Sequence, residues 1–502
     1  METGGTTTTL ERVIRSAPLI PTPEPTADPM GERTFNVLLA AILVLAAALR
    51  LTHLGSGLWY DEIETLVRYA RLPFGRIVTT FDSQNQHMLY SLSAHASMGV
   101  LGDGARGVRF PAAVFGVLSL WALARFGARL TTRREALLAT LLLAVSYHHV
   151  WFSQDARGYT ALMFFTILST DLFLRLLERT EPGGLGLAVG YAVAMALGLY
   201  THLTAAFVLA AHGLVWLAAA WRGRARARES GTWLPLVACM LAAILAALLY
   251  APVDGQAAGA TVAPTMQGSG VAWQSPVWLV REALRVLSAG VPGGLASVAL
   301  GLVVAGAGVW SYWRRSPWRT ALMIVPGLVT AAALAVATHN LWPRFFFFLA
   351  GFAVLMVVRG GFDLAVRVLP ARGTTAATWV TAAVAALSLT TVPRAWAPKQ
   401  DFDGARAWIE QQRGPNDAVV VVDMTRLPYQ GVLGGAWRAV DGPSALDTVE
   451  AAHARTWVAY TFPARLQVVQ PAVWQRLEHD YRLAREFPAT VGGGAIVIKV
   501  KG

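Results

Sequence analysis

The chain is poor in charge and has almost no cysteine. Only 14% of its 502 residues are charged, against about 25% in an ordinary soluble protein. That shortfall excludes a water-exposed globule along most of its length. The one cysteine, Cys239, rules out an intramolecular disulfide framework and reads as a small packing residue in an apolar run. There is no Walker A loop, no convincing GxGxxG turn and no nucleophile elbow, so nucleotide-driven pumping and serine hydrolysis lack support. No histidine spacing resembles a zinc site. The net charge of +12 comes without a basic aromatic patch, so nucleic acid is not an expected partner. No internal repeat is evident, which weighs against a transporter.

Long apolar runs are abundant. Hydrophobic residues make up 55% of the chain, and its mean hydropathy is +0.47. Runs of about 20 apolar residues, the length of a spanning helix, recur near 35–52, 107–128, 136–152, 159–177, 186–200, 203–221, 233–251, 293–312, 320–338, 345–358 and 375–392. These eleven predict a polytopic α-helical membrane protein. Residues 1–33 are rich in Thr and Pro and read as a disordered cytoplasmic tail; the first apolar run lacks a signal-peptide cleavage site.

Arginine placement orients the spans. Arg12, Arg15 and Arg33 precede the first. Arg125, Arg129, Arg133 and Arg134 follow the second. Arg222, Arg224, Arg226 and Arg228 follow the sixth, Arg314, Arg315 and Arg319 the eighth, and Arg359, Arg367 and Arg372 the tenth. All fall on one side if segment 86–101 lies at the interface without crossing. This places the N-terminus in the cytoplasm and makes residues 34–392 a transmembrane module. Outside the membrane lie a long first loop, 53–106, a Gly- and Pro-rich loop, 252–292, and a soluble α/β domain, 393–502. In that domain Ala405–Gln412 and 473–486 are predicted helices, and Ala418–Val422 and Ala495–Val500 predicted strands. The expected location is the cytoplasmic (inner) membrane.

The first loop opens with Gly57-Leu58-Trp59-Tyr60-Asp61-Glu62. Aromatics at the interface would hold the two acids near headgroup level, where partial desolvation makes a carboxylate a better base. A solvated acidic turn that starts a helix is the plainer alternative. Two arginines break the charge rule. Arg157, in Ser153-Gln154-Asp155-Ala156-Arg157-Gly158-Tyr159, and Arg344, before the Phe345–Phe348 run, both fall on the outer side. Guanidinium groups there can bind a lipid phosphate whose tail lies against the phenylalanines. They can equally be headgroup anchors, or, for Arg157, a partner of Asp155. His87 begins the interfacial segment. Arg106 and Arg109 flank the second span as expected anchors.

In this order, the motifs resemble those of the GT-C glycosyltransferases, in the bacterial branch related to protein mannosyltransferases and lipid A aminoarabinose transferase. Leu58–Glu62 is similar to the family's acidic motif. Gly102-Asp103-Gly104-Ala105-Arg106-Gly107-Val108-Arg109-Phe110-Pro111 is similar to its entry to the second span, and Ser153–Tyr159 to its SQEARxY turn. Trp408–Val422 resembles the start of its C-terminal domain. Two positions depart from the pattern. His87-Met88-Leu89 stands where His-Pro-Pro is common, and Arg344-Phe345 replaces an Arg-Tyr pair.

The resemblance implies a hexosyl- or pentosyltransferase that moves a sugar from a polyprenyl-phosphate donor to an acceptor hydroxyl, with inversion. Asp61 would be the general base, with Glu62 sharing or shaping the site. Arg344, with Arg157, would hold the donor phosphate. His87, Tyr60, Tyr159 and Asp155 are further substrate-site candidates. Some relatives bind a divalent metal at the acidic loop, which here would fall to Asp61 and Glu62. The donor, the acceptor and membrane lipids are the expected partners. The competing reading is a lipid or glycan transporter that performs no chemistry.

Overall fold

The computed structural model describes residues 18–23, 28–180, 183–223, 230–262, 275–337 and 339–502. Most of the expected tail, and Arg224, Arg226 and Arg228, lie outside the described residues.

Among the described residues nine helices are long and apolar enough to span a bilayer. They include α1 (Glu32–Leu51), and others take their labels below. A bent pair, Arg133–Ala144 with Tyr147–Ser153, turns by 64° and makes a tenth if it counts as one span. A shorter apolar helix, Leu185–Thr201, accompanies them. These eleven elements coincide with the eleven predicted runs. The segment at 86–101 forms a helix of 14 residues, Met88–Leu101, about 21 Å long and too short to cross hydrocarbon.

The breaks in these helices have local causes. At the 64° bend the carbonyl of Ala144 has no helical partner. The buried Arg50 guanidinium, at the end of α1, fills the gap: it donates to Ala144 O at 3.1 Å, to Ala46 O at 2.8 Å and to Ser153 Oγ at 3.1 Å. In α2 (Ala105–Leu130), Pro111 lacks the N–H that would bond Gly107 O. Ser97 Oγ, from the neighbouring short helix, donates to that carbonyl instead.

Helices α3 (Gly294–Arg315) and α4 (Ala350–Val368) cross where each carries a glycine. A methyl group on Gly308 would collide with Met356 O, and one on Gly360 with Val304 O. Small residues let membrane helices approach until their backbones touch. The opposite face of α3 leaves Leu300, Leu302, Val303 and Trp310 exposed, as a lipid-facing surface requires.

The C-terminal region carries a five-stranded sheet in the order β2-β1-β3-β5-β4. Its strands are β1 (Asp417–Val422), β2 (Arg438–Val440), β3 (Arg455–Tyr460), β4 (Arg482–Phe487) and β5 (Ile496–Lys501). β1 runs parallel to β2 and β3, and β5 antiparallel to β3 and β4. The predicted helix over 473–486 is corrected here: it ends at Asp480, and Arg482–Phe487 pairs with β5 as an edge strand. Tertiary pairing overrides local propensity there. This domain shares one core with the first loop. Leu58, Ile63, Leu66 and Tyr90 pack with Phe402, Ile409, Trp457 and Ile498.

Gly308→Ala and Gly360→Ala are each expected to cost about 1–3 kcal/mol through forced helix separation. Thermal unfolding in detergent checks this; an unchanged midpoint for both would contradict the backbone contact.

Candidate active site

The acidic motif forms a single helical turn, Tyr60–Glu64, that continues into a π-helical turn, Thr65–Ala70. Successive residues on a helix diverge by about 100°, so Asp61 and Glu62 cannot face the same way. Glu62 points inward and is fully buried. Arg109 binds it with two hydrogen bonds, Nε to Oε1 and Nη2 to Oε2, both 2.6 Å. The N–H groups of Ala156 and Trp59 donate to it at 2.8 and 3.2 Å. Burial alone would raise its pKa, but Arg109 and Lys399 hold it below the usual carboxylate value. Arg109 donates its remaining N–H groups to the carbonyls of Leu54, Ser56 and Gly57. This one pair therefore fixes the loop on the second span.

Asp61 turns the other way. Its Oδ2 lies 3.1 Å from Arg157 Nη1 and 3.3 Å from Arg344 Nη1. Arg157 is 5% exposed, Asp61 15% and Arg344 32%. Donors around this point are left over: Nε of both arginines is buried without a hydrogen-bond partner, and Nη1 of Arg157 meets Asp61 as an ion pair without hydrogen-bond geometry.

His87 adds a further donor. Its Nδ1 accepts the N–H of Gly158 at 2.8 Å, which fixes the neutral tautomer with the proton on Nε2. Burial and the neighbouring Arg157 keep the ring uncharged by lowering its pKa well below the ordinary value. Nε2 lies 3.3 Å from Arg157 Nη2, so two donors meet with no acceptor between them. Tyr159 closes this side, its OH 3.5 Å from Arg157 Nη2 and its ring 5.7 Å from His87. His202 packs 4.6 Å from His87.

Asp155 is buried behind the turn. Trp59 Nε1 donates to its Oδ1 at 2.8 Å, while Oδ2 has no partner. Burial, helped by the adjacent Glu62 charge, pushes its carboxyl up to about 7. Lys399, also buried, donates to Gln154 O at 2.6 Å and sits over the Trp151 ring. Burial pulls its ammonium down to about 8, against the attraction of Glu62 and Asp155. Beside it, Gln400 Oε1 accepts the N–H of Tyr60.

The structure thus gathers Asp61, Arg157, Arg344, His87 and Tyr159 at one point. It does not bring Glu62 there, because the adjacent turn position aims it at Arg109. Asp61 and Glu62 consequently do not fit as joint ligands of a metal. Among the described residues no group of three or more His, Cys, Asp or Glu side chains could hold one. Asp155 faces Trp59 and is not the partner of Arg157. Tyr60 faces the C-terminal domain. Arg109 is buried and is no surface anchor. Phe347 and Phe348 are buried too, which leaves only Phe345 and Phe346 partly open. Glu64 joins the rim, taking a hydrogen bond from Asn85 at 2.9 Å and one from Arg68 at 3.0 Å. Its place three residues after Asp61 puts both on one helix face, a signal present in the sequence. Nothing local marks Lys399, which lies in a distant part of the chain.

Removing Lys399 leaves two buried carboxylates short of one cation. Lys399→Met is expected to cost about 3 kcal/mol, and Asp155→Asn in that background to restore part of the loss. Thermal unfolding of the four-member cycle checks this; strictly additive losses would contradict the charge balance described.

Comparison with known proteins follows the same outline. Residues 87–250 match the family described as dolichyl-phosphate-mannose-protein mannosyltransferase. No curated protein matches the sequence significantly. ArnT from Cupriavidus metallidurans, solved with undecaprenyl phosphate, superposes with a TM-score of 0.54 over 94% of this chain and 98% of its own, at 14% identity. The Archaeoglobus fulgidus oligosaccharyltransferase, in complex with Zn and sulfate, gives 0.51 over 91% of this chain and 72% of its own, at 11% identity. The chain is a multi-pass membrane protein built on the fold of the GT-C glycosyltransferases.

Proposed function

We propose that the protein transfers a sugar from a polyprenyl-phosphate donor to an acceptor hydroxyl at the outer face of the cytoplasmic membrane. The observation that carries this reading is the position of Asp61 Oδ2 between Arg157 and Arg344. A carboxylate oxygen stands there where a phosphate oxygen would bind. The similar folds support the ligand class: ArnT binds undecaprenyl phosphate, and the archaeal oligosaccharyltransferase has been seen with a dolichol phosphate.

When the donor phosphate enters, its oxygens take the two guanidiniums and the Nε2–H of His87. All are fixed donors that develop no new strain as charge grows on the leaving group. Asp61 is then released from its ion pairs and free to accept a proton from the acceptor hydroxyl. The acceptor oxygen bonds to the anomeric carbon from the side opposite the phosphate. The carbon–oxygen bond to phosphate breaks, and its electron pair leaves on the polyprenyl phosphate. The configuration inverts, and Asp61 passes its proton to water. Glu62 acts in this scheme as a positioning residue through Arg109. Tyr159 braces Arg157. Sugar transfer draws on the sugar–phosphate bond and needs no nucleotide.

Asp61→Asn is expected to lower kcat about 10²–10⁴-fold while polyprenyl phosphate binds as well or more tightly, since the amide no longer competes for the arginines. Arg344→Gln should raise the donor KM and lower kcat together. The assay incubates purified protein with a panel of polyprenyl-phosphate sugars and measures polyprenyl phosphate release. Full turnover by Asp61→Asn would refute the base assignment, and binding without release by the wild-type protein across the panel would favour a transporter.

A further inference from the structure

The end of the bundle away from Asp61 contains a chamber that the proposed reaction does not use. Arg109 and Arg129 stand at opposite ends of α2, twenty residues and so about 30 Å apart. That distance is one hydrocarbon thickness. Around Arg129 lies a cavity of about 1030 Å³ whose walls include Arg125, Arg129, Arg133, Arg175, Arg315 and Arg319. These come from five different helices. Arginine excess on one side of a membrane needs only loops; it does not require guanidiniums from five helices to converge on one hollow.

The walls carry fewer acids than arginines. Asp28, Glu32 and Glu178 line the same space. Glu178 is taken by Arg319 at 2.6 Å. Asp171, behind the wall, holds both Arg129 at 2.8 Å and Arg175 at 2.6 Å. These pairs hold three guanidiniums in place. Among the described residues the other three guanidiniums form no ion pair. The Arg125 side chain donates to Asn36 Oδ1 and that of Arg133 to Met30 O, while the Arg133 backbone N–H donates to Asp28 Oδ2. Arg315 has no hydrogen bond or ion pair among the described residues. Nε of Arg175 is buried without a hydrogen-bond partner. The segment before α1 folds against the rim: the N–H groups of Leu19 and Ile20 both donate to Leu177 O, and Ile20 is fully buried.

We propose that this chamber binds a phosphate group, with the guanidiniums of Arg125, Arg133 and Arg315, which form no ion pair among the described residues, as its donors, at the leaflet opposite the transfer site. Guanidinium forks match phosphate oxygens, and the charge excess suits a phosphate of one or two negative charges. The phosphate can belong to an anionic lipid headgroup or to a soluble ion, which share this chemistry.

The test uses the full chain in phosphatidylcholine nanodiscs, with phosphatidylglycerol or inorganic phosphate added separately, and reads the thermal midpoint. The wild type should gain stability with phosphatidylglycerol, and the midpoint for that titration should weaken about tenfold in R125Q/R315Q. R125K/R315K, which keeps the charge, should retain the gain, and so should R372Q, which removes a charge outside the chamber. A gain from inorganic phosphate alone, abolished by the same double variant, upholds the site with a soluble ligand. A gain that survives R125Q/R315Q, one that R372Q removes equally, or no gain from either probe overturns the site.

Discussion

Two adjacent carboxylates on one helical turn cannot share a direction, and the Asp61 end of this molecule is organised around that constraint. Glu62 is driven inward, where a buried charge is tolerable only with matched partners. Arg109 supplies two charge-assisted bonds, and backbone N–H groups supply the rest. With Glu62 pinned, the same turn holds Asp61 out toward Arg157 and Arg344. The direction of Asp61 is set by its neighbour.

The arrangement reaches beyond the membrane module. Lys399 and Gln400 come from the stretch that leads into the C-terminal sheet. Through Gln154 O and the Tyr60 N–H they hold the back of the acidic turn. The apolar core shared by the first loop and the sheet keeps these contacts in register. The C-terminal domain thus acts as a brace for the site. The aromatic wall of Tyr159, Phe152 and Phe347 braces it from the bundle side, Phe152 and Phe347 stacking at 4.1 Å.

Much of this was legible in the sequence because certain residues broke a rule. Arg157 and Arg344 stood where topology gives cations no reason to be, and the structure places both on Asp61. The eleven apolar runs were readable because hydrocarbon demands a minimum length. Side-chain direction was less so. Whether Glu62 joins Asp61 depends on the phase of one short helix, and Glu64, on the same face as Asp61, was the acid to note. Lys399 carries no local pattern, since its role depends on a tertiary contact. In the C-terminal domain, β3 contains the β-prone run Thr456-Trp457-Val458-Ala459-Tyr460 yet was missed, and 473–486 read as one helix because its edge strand has polar, exposed residues.

The account rests on the claim that Asp61 holds the place of a phosphate. An experimental structure of the full chain with undecaprenyl phosphate tests it most directly. The account predicts a phosphate oxygen within hydrogen-bonding distance of both Arg157 and Arg344, with the Asp61 carboxylate turned away from them. A phosphate bound elsewhere, with Asp61 still between the two arginines, would contradict it.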